Sequence, residues 1–330
     1  MSATIQSNED SIEGRATMRC CVIGGAGFIG ARLVRELLAS GREVLVLGRR
    51  AERPATLPAA TRYHSVGQGD IAWGERLAGV DEVVDLAYAT VPQTSYADPV
   101  FDILANLPPT VGLLEAARQL PLRKMVIASS GGTVYGHADT LPLVETSVTN
   151  PVSPYGITKL TQEKYALMFH RVHGVPVSIV RPANAYGPGQ RPFTGQGFIA
   201  TAMGSILKQE EVTVFGESGT VRDYIHVADV ARGIMAVLQS GDTGQVYNLG
   251  SGIGRNNREV LRAIEPLAAK CNLPVRIRFE PERRFDVSAN VLDCTKLHAC
   301  SGWKAEEDFN QGLSSMWDAI AGDMGWHRRV

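Results

Sequence analysis

Cys20-Cys21-Val22-Ile23-Gly24-Gly25-Ala26-Gly27-Phe28-Ile29-Gly30 joins an apolar run to an amphipathic stretch that continues to Leu38. The order reads strand, glycine-rich turn, helix. Gly24 permits the tight turn, Gly27 lets the backbone approach a pyrophosphate with no Cβ in the way, and Gly30 lets the helix pack close to the strand. The helix N-terminus aims its free N–H groups and the positive end of its dipole at the phosphates. Glycine triplets also occur in turns that bind nothing, but here both flanking elements are legible. Gly24, Gly27 and Gly30, with Phe28 and Ile29 between them, are therefore read as a dinucleotide-binding turn.

Outward from this turn, apolar runs and helical patterns alternate. Strands are expected at 43–47, 63–66, 82–86, 124–128 and 176–180, with long helices at about 100–120 and 154–173. Such short, nearly continuous apolar strands indicate a parallel sheet covered on both faces. Right-handed crossovers then give an α/β, doubly wound Rossmann-type fold. Pro108-Pro109 should kink or split the first long helix. Beyond Ala185 the chain turns Gly- and Pro-rich (Tyr186 to Pro192), a helix follows near 198–208, and 245–249 reads as a seventh strand returning to the main sheet. The expected division is a disordered tail at 1–17, a dinucleotide-binding domain at 18–183 plus about 224–250, and a smaller C-terminal substrate-binding lobe at about 184–223 plus 251–330.

Bulk composition narrows the function. With 33 basic and 34 acidic residues the net charge is −1, and no basic stripe offers a surface for nucleic acid or membrane. No apolar stretch is long enough to span a bilayer. The 5 cysteines are odd in number and lack zinc spacing, which points to a reducing cytoplasm. The polar segment before Met18 has neither a basic nor an apolar region of a signal peptide. Of the 7 histidines, His170 and His173 lie three apart but lack a third ligand, so no metal site is expected.

Ser153-Pro154-Tyr155-Gly156-Ile157-Thr158-Lys159 opens the second long helix, with Ser153 suited to the N-cap and Pro154 to the first turn. Tyr155 and Lys159, four apart, share one face. A phenol is a poor base at neutral pH, but an adjacent ammonium and a helix N-terminus favour phenolate and are expected to pull its pKa down. Such a tyrosine can take a proton from an alcohol while hydride leaves the same carbon.

Five motifs now stand in order: Gly24-x-x-Gly27-x-x-Gly30, Ser129-Ser130-x-x-x-Val134-Tyr135-Gly136, Tyr155-x-x-x-Lys159, Arg181-Pro182-x-Asn184-x-Tyr186-Gly187-Pro188-Gly189-Gln190, and Arg222-Asp223-Tyr224-Ile225-His226-Val227. Together they resemble the extended short-chain dehydrogenase/reductase superfamily. Within it they are most similar to the NAD-dependent epimerase/dehydratase family, in the branch of nucleotide-sugar enzymes typified by UDP-galactose 4-epimerase. The resemblance implies that Tyr155 is the catalytic base and that Lys159 binds the nicotinamide ribose. It implies cofactor contacts from Asp70 and Ile71, from Leu86, Ala87, Tyr88 and Ala89, from Asn106 and from Ser129. Asn184, Arg222, Arg283 and Asp286 match positions that hold the sugar diphosphate and the uridine ribose. The expected ligand is a nucleotide-diphosphate sugar, a UDP-hexose or UDP-N-acetylhexosamine. In relatives the two long helices pair with those of a second subunit, and Leu104, Leu107, Val111 and Leu114 at helical spacing suit a homodimer.

Two departures stand out. The family's catalytic Ser or Thr falls at Gly131, so the polarising hydroxyl is expected from Ser130, Thr133 or ordered water. The second strand ends Leu47-Gly48-Arg49-Arg50, without the Asp that holds the ribose diol of NAD. The family implies NAD, whereas Arg49 and Arg50 suit the 2′-phosphate of NADP. Gly131-Gly132-Thr133 also lacks the adjacent Asp and Glu of a 4,6-dehydratase. The expected activity is 4-epimerisation. The alternatives are an NADPH-dependent 4-keto-sugar reductase or a catalytically silent dinucleotide sensor, against which the intact Tyr155–Lys159 pair argues.

Overall fold

The computed structural model describes residues 17–67, 71–282 and 287–326. Residues 1–16 of the expected tail, Asp70, Arg283 and Asp286 lie outside the described residues. In chain order the first half contains β1 (Arg19–Ile23), α1 (Phe28–Ala39), β2 (Glu43–Gly48), β3 (Arg62–Ser65), α2 (Trp73–Arg76) and β4 (Glu82–Asp85). It continues through α3 (Pro92–Ala97), α4 (Pro99–Ala117), β5 (Lys124–Ala128) and α5 (Pro154–His173). The second half contains β6 (Val177–Pro182), β7 (Asn184–Tyr186), α6 (Phe198–Leu207), β8 (Val212–Phe215), β9 (Val221–His226), α7 (Val227–Ser240) and β10 (Val246–Leu249). It ends with β11 (Gly254–Arg255), α8 (Asn257–Ala269), β12 (Ile277–Glu280), β13 (Ala289–Asn290), α9 (Thr295–Ser301) and α10 (Phe309–Asp323).

The main sheet has 7 strands in the order β10-β6-β5-β4-β1-β2-β3, and every pairing in it is parallel. The order reverses between β1 and β4, which places a crevice beyond their C-terminal ends. Side chains alternate between two cores. Val22, Val46, Val84, Val126 and Val180 pack on one face with α1 and α7, through Leu33, Leu37, Val230 and Ile234. Cys21, Leu45, Val83, Met125 and Ile179 pack on the other with α4 and α5, through Leu113, Leu114, Ala166 and Phe169. A strand buried on both faces needs a continuous apolar run, which is why these strands are readable from sequence.

A third core joins α6, β8, α8 and α10 through Ile199, Met203, Val214, Val260, Ile264, Leu313 and Trp317. Beside it β9 gathers β7, β11 and β13 into a 4-stranded sheet. β11 and β13 are 2 residues each, too short to carry a periodic pattern, and so are invisible in the sequence.

The two prolines do not split α4, which runs unbroken from Pro99 to Ala117. Each proline removes one hydrogen bond, from the carbonyls of Leu104 and Ala105. Pro108, Pro109 and Leu104 are exposed, so water can reach the freed side. The opposite side is pinned. Thr110 Oγ1 donates to the Asn106 carbonyl at 2.9 Å, and Gln162 Nε2 of α5 donates to Thr110 Oγ1 at 2.6 Å. Tertiary packing against α5 overrides local propensity.

The helical series at 104–114 also changes surroundings along its length: Leu104 is exposed, Leu107 and Val111 are half-buried, and Leu114 is fully buried. Val100, Phe101, Ile103 and Leu104 of α4 and Ile157, Tyr165, Met168 and Val172 of α5 together present an exposed apolar surface. His170 Nδ1 lies 2.9 Å from the Val175 carbonyl, and the described residues contain no group of three His, Cys, Asp or Glu able to hold a metal. No described helix is long and apolar enough to cross a membrane.

Candidate active site

Gly24 has φ +76°, and a Cβ there would stand 3.0 Å from the Ala87 nitrogen. A Cβ on Gly30 would stand 2.5 Å from the Gly24 carbonyl oxygen and 2.6 Å from Gly25 Cα. Glycine is therefore required at both positions. Gly27 is the N-cap of α1; no side chain caps that helix and its first turn contains no acidic residue. Its leading N–H groups and positive dipole end are left for an anion. Phe28 and Ile29 form the first turn of the same helix, and both are half-buried.

The segment Leu86-Ala87-Tyr88-Ala89 runs directly past this turn. Leu86 N donates to the Ile23 carbonyl at 3.0 Å, and Ala87 N donates to Asp85 Oδ1 at 3.0 Å. Burial raises the Asp85 carboxyl to about 6, opposed by that backbone bond and by the Lys159 charge. Asn106 is buried and holds the segment from α4. Its Oδ1 accepts from Ala89 N at 2.8 Å and its Nδ2 donates to the Asp102 carbonyl at 2.7 Å. Ile71 packs against the core on the α4–α5 face.

α5 begins as its sequence indicates, with Ser153 Oγ accepting from Gly156 N at 3.1 Å. It delivers a half-buried Tyr155 and a buried Lys159 to the C-terminal end of β5. Lys159 Nζ donates to the Ala128 carbonyl at 2.8 Å and sits 4.0 Å from the centre of the Tyr88 ring. Burial lowers its pKa to about 8, against the pull of Asp85, Glu163 and Asp102. The expected depression of the Tyr155 pKa is not found. Desolvation raises it, the Asp102 charge raises it further, and only the hydrogen bond with Ser130 opposes. The ammonium is engaged with the Ala128 carbonyl and the Tyr88 ring, and desolvation of the phenol outweighs any help from the helix end.

The hydroxyl-bearing loop after β5 divides its tasks. Ser129 Oγ donates to Glu163, which also accepts from Arg181 Nη2 at 2.6 Å and Nε at 2.9 Å in a buried pair. Ser129 thus points into a structural network, Ser130 reaches the Tyr155 phenol, and Thr133 Oγ1 is buried without a partner among the described residues. Gly131 has no space for a side chain. A Cβ there would lie 2.5 Å from Leu292 Cδ1 and 2.8 Å from the Arg181 carbonyl oxygen. Asn290 Nδ2 donates to the Gly131 carbonyl at 2.9 Å, so the segment carrying β13 clamps this loop.

Asn184 lies beside the loop: a Cβ on Gly132 would be 3.0 Å from Asn184 Oδ1. Arg222 is half-buried on β9, and its Nη1 donates to the carbonyls of Val221 at 2.8 Å and Val287 at 2.7 Å. Arg49 and Arg50 are exposed just past β2. A Cβ on Gly48 would be 2.7 Å from the Tyr63 hydroxyl, so Tyr63 occupies the place of a longer side chain at the strand end. Sequence reasoning missed Asp102, Glu163, Asn290 and Leu292. Asp102 alone left a trace, one helical turn before Asn106 on the same face.

Residues 20–250 match the NAD dependent epimerase/dehydratase family, and the chain belongs to it. A UDP-glucose 4-epimerase of Mycolicibacterium smegmatis is 33% identical over 307 residues, covering 90% of this chain and 96% of that protein. A dTDP-glucose 4,6-dehydratase of an Actinoplanes species is 31% identical over 329 residues, covering 94% and 98%. The crystal structure of Thermus thermophilus UDP-glucose 4-epimerase in complex with NAD superposes with a TM-score of 0.85 at 34% identity, covering 92% of this chain and 99% of that one. The protein is an enzyme of the extended short-chain dehydrogenase/reductase type.

Because Gly131 is walled in by Leu292 and two backbone carbonyls, Gly131→Ser should destabilise the fold by about 1–3 kcal/mol. It should also lower turnover, since the loop carrying Ser130 must move. Denaturant titration alongside an activity assay checks this, and a variant as stable as the parent with higher activity would contradict the packing account.

Proposed function

We propose that the chain is a nucleotide-sugar 4-epimerase that oxidises a hexose reversibly at C4. The observation that carries this reading is the meeting of Tyr155, Ser130 and Lys159 beyond the same sheet edge as the Gly24–Gly30 turn. The uncapped α1 N-terminus and the close glycine approach fit a dinucleotide pyrophosphate, and buried Lys159 fits the role of a ribose ligand. A nicotinamide held there would supply a reversible hydride acceptor for the sugar carbon.

Every other part of the chemistry falls to the chain's own side chains. Tyr155, as its phenolate, removes the proton from the C4 hydroxyl, Ser130 hydrogen-bonds the phenol and the reacting oxygen, and Lys159 holds the ribose beside them. Thr133 is the second hydroxyl within the loop. Inversion follows if the keto sugar turns before hydride returns. Asn184, Arg222, Arg283 and Asp286 are read as ligands of the nucleotide diphosphate and sugar. The third core with its small sheet is read as the lobe that holds them, at about 184–223 plus 251–330. Gly131-Gly132-Thr133 offers no acid–base pair for eliminating water, which favours epimerisation over the dehydratase chemistry named for some relatives.

NAD is the favoured cofactor, since the Thermus thermophilus relative is described with it. One observation supports a second reading, a 4-keto-sugar reductase using NADPH: Arg49 and Arg50 stand exposed where a ribose-binding carboxylate is absent. The apolar surface of α4 and α5 is read as the interface of a symmetric homodimer. A cytoplasmic home accords with five free cysteines.

If Tyr155 is the base, Tyr155→Phe should retain cofactor binding and lose roughly 10²–10⁴-fold in turnover. An unchanged rate on a confirmed substrate would end the mechanism. Light scattering at micromolar concentration should give twice the chain mass of 35.6 kDa, and a value near 35.6 kDa would refute the dimer.

A further inference from the structure

Asp102 is a fully buried acid in the N-terminal part of α4, and no lysine or arginine pairs with it among the described residues. One carboxylate oxygen accepts from the Thr90 hydroxyl and, at 3.4 Å, from the Tyr88 hydroxyl. The other, Oδ2, is buried with no hydrogen-bond partner among the described residues. A carboxylate in this position is costly unless a charge or a function compensates it. Tyr88 links it to the catalytic pair. The Tyr88 hydroxyl also hydrogen-bonds Thr158, the ring lies edge-on to the Tyr155 ring at 4.8 Å between centroids, and the Lys159 ammonium rests 4.0 Å from the ring centre.

We propose that Asp102 and Tyr88 are positioning residues for the Tyr155–Lys159 pair, the Tyr88 ring seating both side chains and the Asp102 carboxylate setting their charge. This rests on the reading of Tyr155 as the base. A ring face attracts a cation electrostatically, and the attraction strengthens away from water. The ring therefore orients Lys159 without consuming a donor needed elsewhere. Asp102 acts on both members. Its charge opposes ionisation of the phenol and favours protonation of the amine. It adds to Asp85 and Glu163 in favouring the charged amine while making the phenolate scarcer near neutral pH, and so shifts the pH range in which both are in working form.

Asp85, at the end of β4, and Glu163, on α5 and tied to Arg181 of β6, act on Lys159 but are not among the groups that shift Tyr155. Tyr96 of α3 donates its hydroxyl to the Val152 carbonyl. The phenol is thus the specific reporter of Asp102. A role for Asp102 confined to holding the 86–90 loop would leave the phenol's ionisation where it is.

The test titrates Tyr155 in the cofactor-loaded protein by phenolate difference absorbance, subtracting a Tyr155→Phe partner in each background. In Asp102→Asn the phenol should ionise at lower pH, with its ionisation constant raised about tenfold or more. Both limbs of the kcat–pH profile should move the same way while KM changes little. Tyr88→Phe keeps the ring and loses only the hydroxyl, so its kcat should lie well above that of Tyr88→Leu. Tyr88→Leu should fall at least about tenfold, as a base or its partner loses orientation. A folded Asp102→Asn with an unmoved phenol midpoint would overturn the proposal, and so would equal kcat values in Tyr88→Phe and Tyr88→Leu. If Asp102→Asn does not fold, the Tyr88 pair decides alone. Should Tyr155→Phe retain full turnover, the base assignment fails, while the midpoint in Asp102→Asn still measures the coupling.

Discussion

Backbone meets backbone at the end of β1 with no room for a side chain. Gly30 lies against the Gly24 carbonyl, and Gly24 lies against Ala87, just past the neighbouring strand β4. That contact draws the first turn of α1, the chain after β4 and, through Asn106 and Lys159, the middle of α4 and the start of α5 to one edge of the sheet. A Cβ at either glycine would push these apart and remove the floor on which the phenol and the ammonium stand. The glycine turn leaves the leading N–H groups of α1 uncapped and sets how closely these elements approach.

The electrostatics of the site are governed by burial before charge. Desolvation raises the phenol of Tyr155, lowers the Lys159 amine to about 8 and raises Asp85 to about 6. The consequence for folding has a definite sign. Lys159 in the folded chain binds its proton less tightly than in the unfolded chain, so below pH 8 its burial weakens the fold. Stability from this group is gained as pH rises from about 8 toward the ordinary lysine value. Asp85 works oppositely, contributing stability at acid pH that is lost as pH rises through about 6. Both shifts record burial disfavouring the charged form, only partly offset by the neighbouring charges.

Much of this architecture was legible because doubly covered strands demand uninterrupted apolar runs, and Ser153-Pro154 announces the start of α5 without ambiguity. The helix over Pro108-Pro109 was not, because its continuity depends on Thr110 and Gln162 across a helix pair rather than on local propensity. Nor was the small sheet, whose two-residue strands are recruited by β9 from distant parts of the chain. Position 131 reads as a missing hydroxyl in sequence, but in space it is a glycine required by Leu292, more than a hundred residues away. The direction of the Tyr155 shift escaped because spacing along α5 reveals Lys159 but neither the burial of the phenol nor Asp102 on α4.

In the proposed reaction one carbon of a nucleotide sugar loses and regains the same hydride under the control of Tyr155. The direct measurement is to incubate the purified protein with UDP-glucose deuterated at C4 and to follow the sugar by NMR and mass spectrometry. The expected result is inversion at C4 with the deuterium retained on that carbon and no net consumption of nicotinamide cofactor. Loss of the label to solvent, or no inversion with a 4-keto sugar reduced at the expense of NADPH, would contradict it.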